Sequence, residues 1–140
     1  LFQYFGSKNN FAFYSFIKMK TFFLLGSLSA FIAVALGAFA AHILKQKLST
    51  EMFAVFEVGA RYHFYHALAL FIVAFAIDQY PNANLSLAGW LFSVGTLLFS
   101  GSLYALSLTE IKILGAITPI GGVCFLAGWL WLAWNVWKNF

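Results

Sequence analysis

The sequence predicts an all-α integral membrane protein, a four-helix bundle in which each helix crosses the bilayer. Two observations predict this fold class: the composition is too apolar for a water-soluble domain, and four long apolar segments follow one another. Of the 140 residues, 63% are hydrophobic and 9% are charged, and the mean hydropathy is +0.87. A soluble domain carries about 25% charged residues and could not bury this much apolar surface at such a size. Lipid removes the problem because hydrocarbon surrounds the apolar side chains.

Four apolar segments are long enough to cross the bilayer as helices. About 20 apolar residues span the hydrocarbon core, and in lipid each backbone amide must find its partner inside the protein. We therefore expect helices and not the alternating strands of a barrel. The expected spans are residues 22–44, 58–77, 85–108 and 113–137. Together they form a single membrane domain, residues 19–140.

A short amphipathic helix is expected in the membrane interface between spans one and two. Ser49 or Thr50 can cap its start, because a hydroxyl can accept from an amide of the first turn. Phe53 and Phe56 contribute to its apolar face, and Gly59 provides a bend into the second span.

The first 18 residues form an aromatic-rich leader ahead of Met19-Lys20, a pair that resembles an authentic start. Two interpretations stay open. The leader is either an extension that is not native to the domain and has no function of its own, or a segment lying in the membrane interface.

Charge and motif content narrow the function classes. The net charge of +4 comes from scattered lysines and one arginine that form no continuous basic patch, so we expect lipid and no nucleic acid as a partner. Cys124 is the only cysteine, which excludes an intramolecular disulfide. No metal-binding motif, carboxylate pair or nucleophile–base pair is present. We therefore expect no catalytic residue, no metal and no cofactor.

Small residues recur at spacing four along the first span. Ser29, Ala33, Gly37 and Ala41 share one helix face and would let a second helix approach closely, which drives association in lipid. The partner helix belongs either to the same chain or to another copy. Further packing positions are expected at Gly101, Gly121 and Gly122.

Several polar residues near the ends of the spans are expected on one side of the membrane. Ionisable residues at membrane depth are costly and usually face the bundle interior, and histidine can bind ligands, metals or protons. Pro119 removes a helix hydrogen bond and predicts a kink in the fourth span. One interpretation is a ligand pocket built around His42 and His66; the other is simple contact with lipid headgroups. The candidate pocket residues are His42, Tyr65, His66, Tyr104, Thr118 and Pro119.

Four short motifs carry a family resemblance. They are Gly-Ala-Phe-Ala-Ala-His at 37–42, Tyr-His-Ala-Leu-Ala-Leu at 65–70, Leu-Phe-Ser-Gly-Ser-Leu-Tyr at 98–104 and Thr-Pro-Ile-Gly-Gly at 118–122. In this order they resemble the domain-of-unknown-function family 423 (DUF423, also UPF0382), small bacterial membrane proteins related to eukaryotic transmembrane protein 256. The resemblance implies a multi-pass protein of the bacterial inner (plasma) membrane with no established activity. The family often has glutamine in place of His63, which argues against His63 as an obligatory ligand.

Three functional hypotheses remain from the sequence. The first is a non-enzymatic helix bundle of unknown role that acts as a homo-oligomer or as an accessory subunit of another membrane protein. An alternative is a small-solute or proton-coupled carrier. The other is a haem-binding or metal-binding redox protein that uses His42 and His66. Fold class alone cannot choose among them.

Overall fold

Four long helices make up most of the chain in this computed structural model, which describes the backbone of residues 2–139 and the side chains of residues 13–139. Each described span is long and apolar enough to cross a membrane, which confirms the predicted fold class. Two short 3₁₀ turns, Leu44–Gln46 and Lys112–Ala116, precede the second and fourth helices. The helices are α1 (Phe2–His42), α2 (Thr50–Gln79), α3 (Ser86–Thr109) and α4 (Thr118–Asn139).

The leader is continuous with the first span, because α1 runs without interruption from Phe2 to His42. Leu1 and the side chains of residues 1–12 lie outside the described part of the chain. Within it, the Ser15 hydroxyl donates to the Ile77 carbonyl at the end of α2 at 3.4 Å. Both interpretations of the leader stay predictions.

The expected short helix between spans one and two is not a separate element, which corrects the prediction. The Ser49 hydroxyl accepts from the Met52 amide at 3.2 Å and caps α2, which then continues for 30 residues. Gly59 lies inside this helix, which continues through it. A Cβ there would lie 3.2 Å from both Leu103 and Tyr104, so glycine permits close approach of α3. The amphipathic residues are therefore the first turns of the second span.

Each helix packs against the next one in the sequence, and α2 is the central helix. In the most apolar 18-residue segment of α2, 50% of the residues are buried, compared with 17% in the corresponding segments of the first and fourth spans. Phe22 brings α1 into contact with α3, because its ring lies over Gly89 and edge-on to Trp90. Toward the C-terminal end of α1, a groove lies between α1 and α3 and is closed on one side by α2.

Phenylalanine rings lie against glycines where helices cross. A Cβ on any of these glycines would overlap the ring, so the absent side chain is what permits the contact. Close packing of this kind is a main source of helix association in lipid. Lipid tails are as apolar as the side chains, so no hydrophobic effect drives the helices together. The pairs are Phe22 on Gly89, Phe125 on Gly95 and Phe92 on Gly128.

Pro119 begins a helix and does not kink one, which corrects a second prediction. It is the second residue of α4, which begins two residues after the end of the 3₁₀ turn Lys112–Ala116. In the first turn of a helix the proline nitrogen has no hydrogen bond to lose, and its fixed φ suits the helix. The fourth span therefore comprises a 3₁₀ turn followed by a regular helix.

Candidate functional site

A groove of about 400 Å³ lies between α1 and α3, with α2 as its floor. Side chains spaced three or four residues apart along α1 form its apolar wall, since such residues share one helix face. The same spacing on α3 forms a more polar wall. The apolar wall consists of Leu25, Leu28, Ile32 and Leu36, and the polar groups are Ser29, His63, Ser93, Thr96, Ser100 and Tyr104.

The mouth of the groove faces sideways, toward the position of the lipid. Leu28, Ile32 and Leu97 line the groove and are 53%, 48% and 74% exposed. Exposed leucine and isoleucine on a membrane-spanning helix contact hydrocarbon. A molecule dissolved in the bilayer therefore has direct access to the groove.

His63 connects three helices on the floor of this groove. Its Nε2 lies 2.9 Å from the Ser29 hydroxyl of α1, and its Nδ1 lies 3.2 Å from the Tyr104 hydroxyl of α3. The imidazole is 8% exposed. Because a hydroxyl either donates or accepts, both neutral tautomers of His63 satisfy both bonds. The Ser29–His63–Tyr104 network therefore has two hydrogen-bonded arrangements of the same heavy atoms.

His66 lies in a different environment and has one arrangement only. Its Nδ1 is 2.8 Å from the Tyr62 carbonyl, which only accepts, so this nitrogen carries the hydrogen. Its Nε2 accepts from the Trp129 indole N–H at 3.3 Å, and the ring stacks on Phe125 with centroids 3.4 Å apart. Neither nitrogen is left for a haem iron or a metal. In the described residues no group of three or more histidine, cysteine or acidic side chains could hold a metal ion.

His42 is exposed at the end of α1 and lies apart from His66, which corrects the pocket expected around this pair. Ala40 and Leu44 take the inward positions of this segment, at 3% and 5% exposure. A residue midway between two inward positions four apart points to the other side of a helix. Tyr65 also faces outward and is 53% exposed.

The remaining candidates divide between two locations. Tyr104 belongs to the groove, whereas the Thr118 hydroxyl lies 2.8 Å from that of Ser102 and joins α4 to α3. Pro119 is exposed beside this seam. Of the six candidate pocket residues, only Tyr104 lines the groove.

The small residues of the first span have unequal environments. Ala33 is buried and Ser29 bonds to His63, but a Cβ on Gly37 would meet nothing within 4 Å and Ala41 is exposed. At Gly26, α1 approaches α2 closely, since a Cβ there would lie 3.1 Å from the Ala67 carbonyl oxygen. Gly26 could have been found from its spacing of seven residues to Ala33 and again to Ala40.

Comparison with known proteins decides the family. Residues 36–122 match the family model described as "Protein of unknown function (DUF423)", which is more than half of the chain. The chain belongs to the DUF423 family. It is 51% identical over 113 residues to UPF0382 membrane protein YwdK of Bacillus subtilis, covering 80% of this chain and 92% of that protein. It is 48% identical over 120 residues to UPF0382 membrane protein SH2409 of Staphylococcus haemolyticus, covering 86% and 98%.

These relatives confirm the family that the four motifs predicted. No solved structure matches the chain. The bacterial relatives are named as membrane proteins, and the chain has four helices suited to crossing a bilayer. This DUF423 protein is thus a multi-pass protein of the bacterial plasma membrane.

The family resemblance implied glutamine at the position of His63, which argued against His63 as an obligatory ligand. The geometry gives that substitution a different meaning. A glutamine amide both donates and accepts, so it can form one bond to each hydroxyl, as His63 does. The signal that sequence reasoning missed is therefore the ability to pair with Ser29 and Tyr104 together.

Proposed function

We propose that this DUF423 protein is a non-enzymatic membrane protein that binds a small molecule dissolved in the bilayer, in the groove between α1 and α3. The observation that carries the proposal is the groove itself. Its volume of about 400 Å³ falls in the range of small-molecule sites, and it combines apolar walls with a few convergent polar groups. Its mouth at Leu28, Ile32 and Leu97 opens to lipid and not to water.

Filling the groove is expected to abolish binding. Gly101 lines the groove, and a Cβ there would meet nothing within 4 Å, so leucine fits without displacing backbone. We expect Gly101→Leu to reduce the amount of co-purified small molecule at least tenfold. Native mass spectrometry of protein released from mild detergent measures the bound mass and its occupancy.

The matched control is Gly37→Leu. Gly37 also has open space around it, but it does not line the groove, so occupancy should equal that of the unmodified chain. Circular dichroism confirms that both variants keep their helices. Equal occupancy in Gly101→Leu and the unmodified chain, or no bound molecule in either, would refute the proposal.

A second candidate function is self-association or service as an accessory subunit. What supports it is the position of α1, which packs mainly on α2, contacts α3 through Phe22, and carries Gly37 with open space beside it. In lipid a small residue on a helix surface lets another helix approach closely. The carrier and haem hypotheses have no comparable support, since both Nδ1 and Nε2 of His66 are already paired.

Cysteine cross-linking tests this second candidate in the membrane. In a Cys124→Ser background, Gly37→Cys is expected to form disulfide-linked dimers on mild oxidation. Leu126→Cys is the control, because Leu126 is 67% exposed on α4, away from α1. Monomers only, or equal dimer yields at the two positions, would count against association through α1.

A further inference from the structure

We infer that the molecule in the groove is an uncharged amphiphile whose single oxygen headgroup, a hydroxyl or a carbonyl, hydrogen-bonds to Ser100. This inference rests on the proposed function and adds the ligand class and the residue that recognises it. Three properties of the groove carry it: one unpaired hydroxyl, the absence of charge, and the lateral mouth.

Ser100 is the unpaired hydroxyl. It is among the residues that line the groove, is 0% exposed, and its Oγ has no hydrogen-bond partner among the described residues, so a ligand oxygen reaches it once the neighbouring groove side chains rotate aside. Serine in a membrane helix usually donates to a carbonyl of the preceding turn. Five other hydroxyls of α3 do so: those of Ser93, Thr96, Ser102, Ser107 and Thr109. A buried hydroxyl without a partner is unfavourable, so an oxygen atom supplied by a ligand stabilises it.

The other polar groups around the groove each have at least one partner. Ser29 and Tyr104 each bond to His63, and Ser93 and Thr96 donate to their own helix. Ser100 is therefore the group that gains most from a ligand. Because one hydroxyl lacks a partner, we expect one polar headgroup on the ligand.

The groove selects against charge. Its described lining includes no lysine, arginine, aspartate or glutamate, and both nitrogens of His63 lie against hydroxyls. A phosphate or carboxylate would enter this low-dielectric site without an opposite charge, which is costly. An alcohol or carbonyl compound carries no such penalty, and its tail leaves past Leu28 and Leu97 into the bilayer.

Photolabelling with matched probes tests the ligand class. Three probes carry the same diazirine-bearing chain and end in an alcohol, a carboxylate or a phosphocholine head. The full chain is reconstituted in nanodiscs, labelled with each probe, and mapped by peptide mass spectrometry. We expect the alcohol probe to label groove peptides at least fivefold more than either charged probe, and Gly101→Leu to remove that labelling.

Two serine variants test the recognition residue. Ser100→Ala is expected to lower alcohol labelling three- to tenfold and to leave the weak labelling by the charged probes unchanged. Ser93→Ala is the matched control, because Ser93 lines the same wall but its hydroxyl already donates to the Gly89 carbonyl at 2.9 Å. Its labelling should equal that of the unmodified chain.

The possible outcomes separate this inference from the function on which it rests. If a charged probe labels the groove strongly and Gly101→Leu removes that labelling, the uncharged ligand class is overturned and the binding function still stands. An equal loss in Ser100→Ala and Ser93→Ala would overturn the role of Ser100. If every probe labels the groove no more strongly than it labels the lipid-exposed face of α4, both proposals are overturned.

Discussion

Replacing Gly121 with alanine is expected to separate α3 from α4 and to leave little folded protein in the membrane. Gly121 is buried, and a Cβ there would overlap the Phe99 backbone nitrogen and lie 2.8 Å from its Cα. Backbone atoms of a helix cannot rotate aside as a side chain can. Overpacking costs about 1–3 kcal/mol, and we expect the upper end here, about 3 kcal/mol, because close approach is what holds membrane helices together.

The neighbouring glycine provides the control for this experiment. A Cβ on Gly122 would lie 3.9 Å from the Phe99 ring, an ordinary contact, so Gly122→Ala should not destabilise the protein and should gain up to about 1 kcal/mol from helix propensity. Both substitutions raise helix propensity equally, so the difference between them isolates the contact with Phe99. Unfolding in a detergent–SDS titration, followed by circular dichroism, gives both free energies. Equal midpoints for the two variants would show that α3 and α4 do not approach at Gly121.

The contrast between these glycines marks the limit of what sequence could predict about packing. Gly121 and Gly122 are equivalent as small residues at a helix surface, and both were predicted as packing positions. Consecutive residues point about 100° apart around a helix axis, so only one of them can face α3 closely. Which one does depends on the rotation of α4 about its axis, and tertiary contacts determine that rotation.

The spans, by contrast, were predictable because apolar length is a local property. Four uninterrupted apolar segments require four helices whatever their neighbours do, and the four spans are observed. The start of α2 was predicted less well. Hydropathy alone placed it near residue 58, whereas the Ser49 cap begins the helix at Thr50, and the same continuous helix then carries the amphipathic segment.

The sequence could not predict which of the candidate polar residues share one groove. Sequence order places His63, His66 and Tyr104 near one side of the membrane, yet it contains no information on which groove each side chain enters. His63 and His66 lie three residues apart, about 60° around α2. That angle directs His63 toward α1 and Tyr104, and His66 toward Phe125 and Trp129 of α4.

Replacing His66 with leucine is expected to destabilise the protein by about 2–4 kcal/mol. The change leaves the Trp129 indole N–H without its acceptor, and because lipid offers no replacement, a donor without a partner costs about 1–3 kcal/mol. It also removes the stacking of the imidazole on Phe125, and aromatic pairs of this kind contribute about 0.5–1.5 kcal/mol. Leucine is similar in volume, so a new cavity adds little. The same SDS titration measures the loss.

His42→Leu is the comparison that distinguishes the two histidines originally expected to share a pocket. His42 is exposed at the end of α1, so its replacement should change the free energy of unfolding by no more than about 0.5 kcal/mol. His66→Gln should recover part of the loss, since an amide oxygen can accept from the Trp129 indole. A similar small effect for His42→Leu and His66→Leu would mean that the Trp129–His66 bond does not hold α4 to α2 in the membrane. A large effect that His66→Gln fails to reduce would assign the stability to the stacked ring and not to the hydrogen bond.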